Sequence, residues 1–453
     1  MWSKGWLREV LRKIRASYWF LPSTMALTAI LLSQATLGLD QWIGDKWLKS
    51  WELLSSSQPE GAREILSTIA GSMIGVAGVT FSITIAAVAY ASTQFGPRII
   101  DNFMQDRGNQ VTLGTFISTY LYCLLVLRTV TQGSEGPAFV PHGSLMVAVA
   151  LAVASLGVLI YFIHHIPESI HVSNVVAAVG RQLLDQVDEL YPQGGNEPEP
   201  ERDSFEGTNP KLSQPIQVLR SPQAGYIQSV EGERLVSLAS DSGALIKLSV
   251  EPGFFVAPNT ILGRVYGEME LNPKALRNCF VIGPERSPTQ DIRCLMDQLV
   301  DIAGRALSPG VNDPFTAIAC IDWLGAVMAK LGEREMPSRF RLDQSARVCL
   351  VVSRPDFEDL VDAYWDKLRP YVEVDRNAAF HMLESAVTVM SALPPERAVH
   401  LHRAAQRLVE GCLEHLKHPR EIAQLAELRE KLAQANSTQT WARKAEKAYR
   451  ITA

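Results

Sequence analysis

The densest run of side chains able to do chemistry lies between residues 283 and 317. It reads GPERSPTQD, then a helical stretch, then DIAGRALSPGVNDPFTA. Glu285, Arg286, Asp291, Asp297, Asp301, Arg305, Asn312 and Asp313 could converge on one pocket for a cation, a polar ligand or a gating contact. Carboxylates interleaved with guanidinium groups suit charge-assisted hydrogen bonding. The same residues also have a purely structural reading, and both stay open. Asp301 and Arg305 stand at i, i+4 spacing, Ser308-Pro309-Gly310 spells a turn, Asp313 is a helix N-cap and Pro314 a first helical residue. No nucleophile–base pair, P-loop or dinucleotide fingerprint accompanies them, so no enzyme and no cofactor is expected. Glu168 and His171 have the i, i+3 spacing of carboxylate-bridged di-iron bundles, but no second Glu-x-x-His exists to complete a site. No metal is expected.

The elements that must position these groups fall into two regimes, which the overall 47% hydrophobic and 20% charged composition conceals. Residues 16–163 carry four uncharged apolar blocks: Ala16–Leu39, Ile65–Pro97, Gly108–Leu127 and Gly143–Ile163. Each reaches the ~20 residues needed to cross a hydrocarbon core of ~30 Å. The first block follows basic residues but is long and lacks a cleavage site, so it reads as a retained anchor. Lys4, Arg8, Arg12, Lys13 and Arg15 precede it, Arg98 and Arg107 follow the second block, and no Lys or Arg lies between Gly133 and His142. The first loop, with Lys46, Lys49 and Arg63, is mixed. This pattern places both termini on the cytoplasmic side of an inner membrane.

The second block is too long for a simple span, since one helix over it would reach ~50 Å. Gly71, Gly75 and Gly78, with Ser82 and the hydroxyls of Thr80 and Thr84, give it a small-residue character. Two readings compete: a packing helix inside one subunit, or a pore-lining helix at the centre of a homo-oligomer. Arg128, at the end of the third block, is read as snorkelling to the interface or as facing an anion path.

An amphipathic helix over 166–191 is expected to leave the membrane, kinked near Pro167. A Pro- and Gly-rich linker follows over 192–215. Residues 216–270 read as a small β module with strands at Ile216–Leu219, Tyr226–Val230, Val236–Leu238, Leu245–Val250 and Ile261–Val265. Its phrasing is similar to a barrel-sandwich of the biotinyl/lipoyl type, without the hairpin lysine that carries a cofactor, since Lys247 sits mid-strand. Residues 271–436 read as mostly helical and 437–453 as a polar tail. The expected class is thus an α-helical membrane domain of residues 1–165 joined to an α+β cytoplasmic region. The net charge of −5 argues against nucleic acid. Six scattered cysteines exclude a disulfide framework.

With those residues in view, the chain resembles a bacterial family of predicted membrane proteins, domain of unknown function 2254. The resemblance rests on the segments Thr93–Arg98, Leu124–Arg128, Ile160–Ile166 and Arg305–Pro314. It implies a bacterial inner-membrane location and supplies no activity. The functions left in competition are a homo-oligomeric ion channel or conductance regulator and a membrane-anchored scaffold or ligand sensor. The lipid bilayer and further copies of the chain are the expected partners.

Overall fold

The computed structural model describes residues 17–43, 59–96, 106–131, 139–191, 193 and 214–452, and side chains as far as Asn436 except those of Ile43, Gln94 and Phe95. The basic N-terminal residues, Lys46, Lys49, Arg98, most of the third loop and nearly all of the linker expected over 192–215 lie outside the described residues. The chain divides into two compact units, one ending at Asn174 and the other starting at Val175.

The first unit holds α1 (Phe20–Ile43), α2 (Pro59–Phe95), α3 (Arg107–Leu127) and α4 (His142–Ile170). α3 packs against each of the other three. Its buried face includes Leu113, Phe116, Tyr122, Cys123 and Val126, while Leu27, Leu31, Val153, Leu156, Ile160 and Ile163 of its neighbours point outward. A belt of aliphatic side chains facing away from the core is the inverse of a water-soluble surface and is what lipid requires. The helix ends are capped as the sequence provides. Asp106 caps α3 by accepting from Asn109 N at 3.2 Å. Gly96, at φ +103°, follows the last residue of α2 and takes a backbone conformation that glycine adopts freely. α4 runs through Pro167 and stops at His171, where ψ turns extended, so the break comes one turn after the proline rather than at it.

The second unit opens within α5 (Val172–Leu190), whose apolar stripe Val175, Val176, Val179, Leu183 and Val187 is buried. Gly180 lies against the Trp323 ring, and Asp188 pairs with Lys330 at 2.6 Å and with Arg334. Then come β1 (Gln217–Arg220), β2 (Gly225–Val230), α6 (Gly232–Ser242), β3 (Leu245–Leu248), β4 (Phe255–Val256), β5 (Ile261–Tyr266), α7 (Pro273–Arg277) and β6 (Phe280–Gly283). Helices α8 (Ile292–Ala306) and α9 (Pro314–Gly332) follow, then the hairpin β7 (Phe340–Leu342) and β8 (Val348–Val351). Helices α10 (Phe357–Val372), α11 (Arg376–Ala392), α12 (Pro395–His415) and α13 (Pro419–Thr452) complete the unit.

The strands form a five-stranded sheet in the order β1-β5-β3-β8-β7 and a three-stranded sheet β4-β2-β6. All pairs are antiparallel except β3 with β8. Ile227, Leu235, Ile246, Leu262 and Leu276 fill the core between strands and helices. One sequence expectation is corrected here. The strand expected at Val236–Leu238 is the middle of α6, because Leu235 and Ala239 bury one helical turn apart and Gly243, at φ +67°, stops the helix. The likeness to a barrel-sandwich reaches only as far as a sheet-containing module.

Among the described residues five helices are long and apolar enough to cross a membrane by length and composition: α1 to α4 and α9. α9 differs from the others in its setting. It packs against α8 and α11 and buries Cys320, Leu324, Val327, Met328 and Leu331 within the second unit.

Candidate functional site

The expected polar pocket separates into two sets. Arg286 reaches Asp291 Oδ2 through Nη2 at 2.6 Å and Nε at 3.0 Å, and Asp297 Oδ2 through Nη1 at 2.5 Å. Three further residues that sequence reasoning missed complete the cluster. Arg293 binds Glu251 at 2.8 Å and Asp291 Oδ1 at 3.3 Å, and Lys367 of α10 donates to Asp297 Oδ1 at 2.5 Å. The glycine turn before β4 admits the Asp291 carboxylate. Gly253 has φ +92°, and a Cβ there would run into that carboxylate. Arg293 also stacks over the Phe254 ring at 5.6 Å.

Asp291 is 3% exposed, yet both its oxygens are held by guanidinium groups, and the acids Glu251, Asp291 and Asp297 are matched by Arg286, Arg293 and Lys367. Burial opposes the charge on Arg286, but Asp291 and Asp297 outweigh it and hold the guanidinium above its ordinary range. Beside the cluster, burial pushes the Tyr191 phenol up to about 12, with Arg354 and Arg293 pulling the other way. Tyr191 is therefore neutral at physiological pH. Chemically the cluster is a saturated, charge-balanced clamp joining the start of α8, the turn before β4 and α10.

The remaining expected pocket residues act locally. Asp301 and Arg305 pair along α8 at 3.4 Å. Asn312 takes φ +51° in the turn and donates its N–H to Ser308 O at 2.9 Å. Asp313 caps α9 through Thr316 N at 3.2 Å and Thr316 Oγ1 at 2.5 Å. The Glu285 backbone carbonyl accepts from Gln228 Nε2 at 2.9 Å. Glu168 faces His164 at 3.7 Å on an exposed helix surface. Among the described residues no group of His, Cys, Asp or Glu is arranged to hold a metal ion. All six cysteines are free and buried; burial pushes the thiol of Cys279 up to about 11 and that of Cys412 up to about 12.

In the membrane unit the expected pore-lining residues divide between two faces of α2. Gly71, Gly75, Gly78 and Ser82 are exposed, and a Cβ on any of the three glycines would meet nothing within 4 Å. Thr80 and Thr84 lie on the opposite, packed face with Leu66, Ala70, Ala77, Ala87 and Ala91, and their hydroxyls bond carbonyls one turn back. Arg128 is exposed at the end of α3.

The model of a family described as "predicted membrane protein", domain of unknown function 2254, matches residues 15–387. An uncharacterized protein of Mycobacterium bovis and another of Mycobacterium tuberculosis are each 31% identical over 372 residues. That alignment covers 80% of this chain and 70% of each relative. No solved structure matches.

Proposed function

The chain belongs to the predicted membrane protein family of domain of unknown function 2254, and from that premise we propose a homo-oligomeric ion channel or conductance regulator of the bacterial inner membrane. In this reading α1 to α4 span the bilayer, both termini are cytoplasmic, and α2 stands at the centre of the assembly. α9 is read as a core helix of the cytoplasmic body, because its apolar face is covered by α8 and α11. The observation that carries the reading is the outward face of α2. Gly71, Gly75, Gly78 and Ser82 form an uncovered strip of small residues, on a helix of 37 residues that would reach ~55 Å. Lipid gives no hydrophobic reward for helix association, so close backbone approach at small residues is the available driving force.

Planar-bilayer recording of the purified full-length protein tests this. Wild type should conduct under tension, a pH step or voltage, and Gly75→Leu should conduct about tenfold less by blocking close approach. Silence of the wild type under all three stimuli removes the channel reading. A second reading, a membrane-anchored scaffold or sensor without conductance, is favoured by the charge-balanced clamp around Asp291, which suits a rigid body. Under that reading bilayers stay silent while a partner or small ligand binds the cytoplasmic unit.

A further inference from the structure

The interior of the membrane unit carries polar side chains that neither the outward face of α2 nor the Asp291 cluster accounts for. They follow α3. At one end, Asp40 accepts from Gly143 N, Ser144 N and Ser144 Oγ at 3.0, 2.9 and 2.7 Å. Beside it the wholly buried Tyr122 donates to Ser144 O at 3.1 Å and shares a hydrogen bond with Thr36 at 2.9 Å. One turn along, the Thr119 and Ser155 hydroxyls meet at 3.0 Å. At the other end, Asp106 meets His165 Nε2 at 2.9 Å, and the His165 ring stacks on Tyr161. Between the two ends the side chains of Leu113 and Phe116 pack with Tyr18 and Ala77.

Interhelical hydrogen bonds in lipid hold helices together only modestly, which explains polar glue but not polar atoms left without a bond. Two such atoms lie along this column. Asn109, 2% exposed, has Oδ1 without a hydrogen-bond partner among the described residues, and so has Ser118 Oγ. A buried acceptor without a bond is destabilising, a cost that a bridging water removes. From Asp106 to Tyr122 the column covers ~24 Å of helix, most of a hydrocarbon core of ~30 Å.

We infer that this column is a water-holding proton path inside a single subunit, running between Asp40 and the Asp106–His165 pair and closed by Leu113 and Phe116. Each hydroxyl or water along it accepts one proton on a lone pair while releasing its own to the next group. Every O–H bond formed is matched by one broken, and one proton leaves the far end for each that enters. The driving force is the proton gradient or membrane potential, and nothing is oxidised or reduced. The path needs no second copy of the chain, so it stands or falls separately from the assembly around α2.

The test is proton flux into proteoliposomes holding a pH-sensitive dye, driven by a potassium diffusion potential with valinomycin, using the full-length protein. Replacing a hydrophobic constriction by a smaller residue should raise flux about tenfold, as Phe116→Ala or, should that variant not fold, Leu113→Ala. Removing an interior polar group, as Tyr122→Phe or Asn109→Leu, should lower the flux of the opened variant about tenfold. The lipid-facing Val153→Leu should keep the parent flux. No flux above protein-free vesicles from wild type and opened variants alike, with monodisperse protein, overturns the inference. So does flux that survives Tyr122→Phe and Asn109→Leu but is abolished by Gly75→Leu, an outcome that would leave the assembly around α2 standing.

Discussion

Asp291 shows how a single carboxylate can organise a domain. It is buried, and it is tolerable only because Arg286 and Arg293 each take one of its oxygens. Removing it leaves two partly buried guanidinium groups short of a partner. Asp291→Ala should therefore destabilise the second unit by about 3–5 kcal/mol, read as a lower unfolding midpoint in urea. An unchanged midpoint would mean that the cluster is idle. Asp343 makes a second residue-scale case. The backbone N–H groups of Arg347 and Ser345 and the Arg347 side chain hold its carboxyl down to about 2. A depressed carboxylate adds stability that is present above its unfolded value, near 3.9, and lost as pH falls toward the folded value. Melting of wild type should thus fall between pH 4 and pH 2, and Asp343→Asn should flatten that part of the profile.

At the scale of elements, the docking of α5 depends on one missing side chain. A Cβ at Gly180 would enter the Trp323 ring, so Gly180→Leu should cost about 1–3 kcal/mol through overpacking despite the better helix propensity of leucine. Thermal unfolding in detergent checks it, and a raised midpoint would refute the contact. This scale also separates what was legible in the sequence from what was not. The four apolar blocks, the i, i+4 pair Asp301–Arg305 and the Asp313 cap were legible because each is encoded within a few neighbouring residues. The helix at 232–242 was misread because Gly232 and Gly243 look like the ends of a strand, although Leu235 and Ala239 already have helical spacing. Strands β7 and β8 were hidden because they are short and only β8 joins the sheet, on β3 about a hundred residues earlier in the chain, with β7 added at its edge. Glu251, Arg293 and Lys367 were missed for the same reason, since only tertiary packing brings them to Asp291 and Asp297. Asp40 and His165 carried a weak local signal, as polar residues beside apolar blocks.

At the scale of the molecule, the chain joins a unit built to face lipid to one built to face water. Outward aliphatic side chains on α1 and α4 mark the first, and a charge-balanced clamp with a mixed sheet core marks the second. The uncovered strip on α2 is where the first unit leaves small residues without a neighbour, and the proposed assembly depends on it. Cysteine cross-linking in native membranes measures that face directly. Gly75→Cys should form disulfide-linked dimers under mild oxidation, whereas Thr80→Cys, on the packed face of the same helix, should stay monomeric. Failure of Gly75→Cys to cross-link, or equal cross-linking at both positions, would contradict an assembly centred on α2.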